Sequence, residues 1–100
     1  MAEQFDYQQL DELIHSRIRL AIMAVLVSVD SAEFTFLREK TGATDGNLSV
    51  HLGKLEEAGY LAVTKQFIKK KPVTSYKLTR KGQKAFEEYI DRLDAMVRRK

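Results

Sequence analysis

The chain has no cysteine, and that absence removes a large share of protein chemistry. Disulfides, thiolate nucleophiles and cysteine-based metal sites are all excluded. Histidine is scarce too. His15 and His51 stand too isolated to build a metal site, so no metal and no cofactor is expected. Long apolar runs are missing. The longest, Leu20 to Val27, falls far short of the roughly 20 residues that span a bilayer. The N-terminus is acidic rather than rich in Lys and Arg, so no targeting segment is read there and a cytoplasmic protein with no membrane partner is expected. There is no clustered acid–base set, no nucleophile with a partner and no phosphate-cradling glycine loop, which argues against an enzyme.

One further absence is local. Residues 65–84 hold Lys65, Lys69, Lys70, Lys71, Lys77, Arg80, Lys81 and Lys84 and not one acid. The whole chain carries a net charge of only +3, because its first third is acid-rich. Solvated surfaces normally interleave the two signs. A block of one sign is the electrostatic footprint expected for a polyanion.

With 100 residues, 44% of them apolar and 31% charged, the chain has the composition of one globular domain, residues 1–100. Met1 to Tyr7 is polar and is expected to fray. Leu10, Leu13 and Ile14 then recur at helical spacing. Ser16 is placed to cap a second helix that is apolar on more than one side through Val29, as a central buried helix would be. Asp30-Ser31 is a stop. A third helix runs from Phe34 or Thr35 to Lys40, and Gly42 permits a turn with positive φ.

The stretch Thr44 to Tyr60 follows. Thr44 is a predicted N-cap, Asp45 suits the positive end of the helix dipole, and Gly59 is a predicted left-handed terminator. Leu48, Leu52 and Leu55 make one narrow apolar face. The other face carries Gly46, Asn47, Val50, His51 and Lys54, small or polar groups that suit contact with another surface. Two short helices across a Gly-containing turn, about residues 34–58, form a helix-turn-helix. LAVTKQFI then alternates as a strand. Lys69-Lys70-Lys71-Pro72 makes a turn, and a second strand returns to Leu78. This hairpin, about 61–78, completes a winged helix. The fold class is therefore mainly α with a small β-hairpin, a winged helix-turn-helix with an extra C-terminal helix.

Thr79 is the predicted N-cap of that last helix, about 79–97, with Arg80 and Lys81 in its first turn. Two cations there oppose the helix dipole, a cost that a nearby phosphate would reverse. Phe86, Ile90, Leu93 and Val97 are spaced 4, 3, 4, with Tyr89 and Met96 flanking. This heptad-like seam, together with Leu10 and Leu13, is read as the contact surface of a homodimer.

The segments HSRIRLAIMAVL and FTFLREKTGATDGNLSVHLGKLEEAGYL, with the wing ending YKLTRKGQKAF, resemble the winged-helix DNA-binding regulators of bacteria and archaea. The chain looks most like the small single-domain group related to the arsenic-sensor (ArsR) and multiple-antibiotic-resistance (MarR) repressors, over roughly residues 8–97. The resemblance implies a homodimeric, sequence-specific repressor bound to double-stranded DNA. Helix 44–58 would enter the major groove and the hairpin would flank it. Gly46, Asn47, Ser49, Val50, His51 and Lys54 occupy the groove-facing positions. Asn47 suits a bidentate contact to adenine, Val50 a thymine methyl, and His51 and Lys54 guanine acceptors or phosphate, while Gly46 permits close approach. Ser49, Lys69, Lys70, Lys71, Arg80 and Lys81 would hold the backbone. The arsenic-sensor branch binds metal through cysteines that this chain lacks. The competing readings are a winged helix that binds protein, which predicts an apolar or acidic face, and one that binds RNA, which predicts stacking aromatics.

Overall fold

The computed structural model describes residues 10–98. Met1 to Tyr7, expected to fray, lies outside them. Four helices and a three-stranded sheet follow in the order α1 (Arg17–Val27), β1 (Ala32–Glu33), α2 (Phe34–Thr41), α3 (Asp45–Glu57), β2 (Leu61–Ile68), β3 (Lys71–Leu78) and α4 (Arg80–Val97). The winged-helix α+β architecture expected from the sequence is present.

Local chemistry sets most boundaries. The side chains of Ser16, Thr44 and Thr79 accept from the N–H groups of Arg19, Asn47 and Gly82, so each predicted N-cap is in place. Gly42 and Gly59 have φ of 71° and 83°, the left-handed geometry that ends α2 and α3. Beyond α3 the N–H of Gly59 donates to Glu56 and that of Tyr60 to Leu55, the two bonds of a Schellman terminus.

Three features differ from expectation. Leu10 to Ile14 forms a turn, not a helix. Asp11 captures the local backbone, its Oδ1 accepting from the N–H groups of Leu13 (2.9 Å) and Ile14 (3.4 Å), which competes with helix formation. The sheet has a third strand that the sequence did not reveal. Ala32 and Glu33 pair antiparallel with Tyr76 and Ser75, giving the order β1-β3-β2. Pro72 belongs to β3 rather than to the turn and pairs with Phe67. The turn is only Lys69-Lys70, so Ile68–Lys71 is the hydrogen-bonded pair and Phe67–Pro72 the next, non-hydrogen-bonded one. The N–H that proline lacks would have pointed to the outer edge, which β1 does not reach.

The core gathers Ile14, Ile22, Met23, Leu26, Leu37, Leu48, Leu52, Leu55 and Leu61 with one face of α4. That face contains Gly82, Phe86 and Tyr89, with Leu93 and Met96 packed partly against it. The seam read from the sequence therefore divides. Phe86 and Tyr89 face the chain's own core, as does Leu10, while Ile90 and Val97 remain exposed. Buried Tyr89 finds a polar partner, its hydroxyl lying 2.7 Å from Nδ1 of His15, and this ties α4 to the segment before α1.

Thr79 and Gly82 fix where α4 begins. The Thr79 N–H donates to the Tyr60 carbonyl (3.0 Å) and its hydroxyl to the Gly59 carbonyl (2.6 Å). The end of α3, the end of the hairpin and the start of α4 thus meet at one joint. No described helix is long and apolar enough to cross a membrane.

Candidate nucleic-acid interface

Helix α3 is presented by its own leucines. Leu48, Leu52 and Leu55 are buried to 2% exposure or less, so the opposite face must point outward. Gly46, Asn47, Ser49, Val50 and Lys54 are all exposed there, and His51 is half-buried. Val50 is 56% exposed, so core packing does not explain a β-branched side chain in the middle of this helix. The start of the helix is steadied from α2, where the Arg38 guanidinium meets Asp45 at 2.9 Å. Both partners are well exposed, so this pair contributes at most about 1 kcal/mol.

His51 does not hang free. Its Nδ1 lies 2.8 Å from Nη1 of Arg19 on α1, and the same guanidinium donates through Nε to the carbonyl of Leu13. Partial burial and the positive charges of Arg19 and Lys54 hold the imidazole below its usual pKa. The sequence offered no signal for Arg19 beyond a lone cation between Ile18 and Leu20.

The hairpin carries the basic block outward. Lys65, Lys69, Lys70 and Lys71 are exposed. Lys69 and Lys70 both have positive φ, 53° and 66°, the pattern of a type I′ turn. Such turns favour Asn-Gly, because a residue with a Cβ costs about 1–2 kcal/mol in this region. Two lysines stand where a purely structural turn would place other residues. Phe67 is 79% exposed near the tip. Alternation puts it on the same face as Leu61 and Val63, but every residue of β2 from Thr64 onward is exposed.

The first turn of α4 is more varied than its charge suggests. Arg80 is exposed. The Lys81 ammonium lies 5.8 Å from the centroid of the Tyr60 ring, and its chain rests against Gly59 at the C-terminal end of α3. A cation there complements both the ring and the negative end of the α3 dipole, which offsets the unfavourable position at the start of α4. The Tyr60 hydroxyl in turn donates to Oδ2 of Asp11 at 2.6 Å. Burial, and then the Asp11 carboxylate, push this phenol up to about 12.

The structure thus leaves Gly46, Asn47, Ser49, Val50 and Lys54 exposed along α3, with His51 half-buried and held from the side by Arg19. Lys69, Lys70 and Lys71 lie on a projecting hairpin, and Lys81 is engaged within the fold. Among the described residues no group of three or more His, Cys, Asp or Glu could hold a metal ion.

Comparison with known proteins gives the arrangement a context. A protein of Methanocaldococcus jannaschii with no characterised function is 43% identical over 79 residues, covering 79% of this chain and 86% of that protein. The structure of a transcriptional regulator homologue from Pyrococcus horikoshii superposes with a TM-score of 0.85 at 25% identity, covering 95% of this chain and 94% of that one. A MarR-family transcriptional regulator from Silicibacter pomeroyi shares the fold with a TM-score of 0.64 at 18% identity, over 92% of this chain and 64% of that one. Family and fold are those of DNA-binding regulators rather than of enzymes. Residues 18–97 match the model of the winged helix DNA-binding domain, and the chain belongs to that family.

Proposed function

We propose that the chain is a sequence-specific regulator of double-stranded DNA, acting as a homodimeric repressor. One observation supports this above the others. The exposed face of α3 is free of acid from Gly46 to Lys54, and it lies in the same domain as a hairpin whose turn keeps lysines at positive φ. In this reading α3 enters the major groove, which is about 12 Å wide. Asn47, Val50, His51 and Lys54 read bases, and Gly46 allows close approach. Ser49, Lys69, Lys70, Lys71, Arg80 and Lys81 hold phosphates, Lys81 from the first turn of α4 beside the end of α3. The phosphate contacts supply affinity and register, not sequence choice.

The dimer in this reading is built on α4. Leu10, Phe86 and Tyr89 shape the surface from within, and Leu13 and Leu93 border it. Exposed Ile90 and Val97, one heptad apart, would meet the second copy. Two recognition helices would then sit about 34 Å apart on a pseudo-palindrome. Sedimentation of the pure protein gives the oligomeric state, and a strict monomer at high concentration would sink the dimer.

Selection of bound fragments from random duplex DNA tests the function directly. Enrichment of one pseudo-palindromic sequence is the expected outcome. Among the described residues exposed Phe67 favours a single-strand reading, since a bare aromatic beside lysines can stack a base. Preference for single-stranded RNA or DNA over every duplex would overturn the proposal in favour of that reading.

A further inference from the structure

Arg19 is remote from α3 in sequence and makes no part of its exposed face, yet it holds the imidazole of His51. An arginine side chain has five N–H donors and no acceptor. The ring atom facing it must therefore accept. With Nδ1 accepting, a neutral imidazole carries its proton on Nε2, at the corner of the ring that points away from Arg19. Hence the donor, not the surrounding solvent, assigns the tautomer.

The rest of the contact keeps Arg19 in place. Its Nε donates to the Leu13 carbonyl, so the guanidinium bridges the turn before α1 to the side of α3. Ser16, three residues earlier, caps the helix that carries it. The charged groups that bear on His51 are Arg19 from α1 and Lys54 one turn along α3, both cations. They disfavour a second proton on the ring, which stays neutral and oriented.

We propose that Arg19 is a positioning residue for DNA reading, one that locks His51 as a single-direction hydrogen-bond donor. This rests on the reading of α3 as the base-reading helix. The consequence is a rule for the base opposite His51. A fixed Nε2–H serves the acceptors N7 and O6 of guanine, N7 of adenine or O4 of thymine. It cannot serve the amino donor of cytosine. A ring free to change tautomer could present an acceptor at Nε2 and would tolerate that donor. Arg19 thereby supplies discrimination without touching DNA.

Two measurements test it. The first needs no variant. Long-range nitrogen–proton correlation spectra of the nitrogen-labelled protein at neutral pH should show His51 with Nε2 protonated and Nδ1 bare. A protonated Nδ1 overturns the inference outright. The second uses Arg19→Met and Arg19→Lys on the selected duplex and on duplexes altered at the base that His51→Ala identifies. Wild type should prefer an acceptor base over cytosine by about five- to tenfold, the scale of one hydrogen bond. Arg19→Met should cut that preference to about twofold, keep binding to unrelated duplex within about twofold, and yield mixed tautomers in the spectra. Arg19→Lys, which keeps one donor, should recover most of the preference. Equal loss on all sequences would make Arg19 an ordinary phosphate contact and end the proposal. A wild type with no preference for any duplex would instead end the base-reading function on which it rests. Thermal melts of both variants separate these results from loss of fold.

Discussion

Gly82 sits directly under the carbonyl of Tyr60: a Cβ at position 82 would lie 2.2 Å from that oxygen and 2.9 Å from its carbon. Both atoms are backbone, and the segment is held by the Thr79 N–H bonded to the same oxygen. Neither side can yield cheaply. Gly82→Ala would ordinarily stabilise a helix by about 1 kcal/mol. Here it should destabilise by about 1–3 kcal/mol, because α4 must move off the joint. Urea denaturation of the variant measures this. A stability equal to or above wild type would show that α4 has freedom at its start.

That joint also shows which parts of the fold were legible. Ser16, Thr44 and Thr79 announce helix starts by local chemistry, and Gly42 and Gly59 announce helix ends. Each acts within a few residues of itself, so spacing in the chain is enough to find it. What sequence reading missed depends on partners far away. Ala32-Glu33 is a strand only because Tyr76 and Ser75 pair with it. Leu10 to Ile14 has helical spacing, but Asp11 diverts its backbone and is itself held by Tyr60, 49 residues on. On α4 the heptad through Phe86, Ile90, Leu93 and Val97 competes with a second stripe through Phe86, Tyr89, Leu93 and Met96, and the core takes the second. The exposed face of α3 was readable because its leucines define the opposite side. Its tether through Arg19 was not, since 32 residues separate the partners.

The turn of the hairpin predicts opposite effects on stability and on binding. Lys69 and Lys70 occupy left-handed backbone that suits Asn and Gly. Replacing them together, Lys69→Asn with Lys70→Gly, should raise stability by about 1–2 kcal/mol, through relief of that backbone cost. If the lysines neutralise phosphates, the same variant should bind every duplex more weakly. The slope of log affinity against log salt should fall by about two. Melting curves and titrations at several salt concentrations give both quantities. Unchanged affinity with raised stability would remove the hairpin from the DNA contact.

Asn47 should behave in the contrary way. Its side chain is exposed, and the helix cap uses only its backbone N–H, which donates to Thr44 Oγ1 at 3.2 Å. Asn47→Ala should therefore leave stability within about 0.5 kcal/mol of wild type. On the selected duplex it should cost about 1–3 kcal/mol of binding, and on scrambled duplex almost nothing. A uniform loss on both would move Asn47 from base reading to backbone contact.

Tyr60 gives a pH dependence with a defined sign. Its hydroxyl donates to Asp11, and burial with that carboxylate raises the phenol from 10.0 to about 12. The unfolded chain ionises this tyrosine near pH 10, whereas the folded chain keeps the proton until about pH 12. The contribution is thus fully present below pH 10 and is lost as pH rises to 12, because the unfolded state then binds fewer protons. Tyr76 and Tyr89 are raised as well, so the comparison must be with Tyr60→Phe rather than with the total. Wild type should lose stability more steeply than Tyr60→Phe between pH 10 and 12, and Asp11→Asn should shift the phenol back toward its ordinary value. Ultraviolet titration of phenolate absorbance in the three proteins reads the shift. Identical alkaline profiles would mean that the bond between Tyr60 and Asp11 does not persist in solution, and with it would go the hold on the turn that carries Leu13, the carbonyl to which Arg19 is anchored.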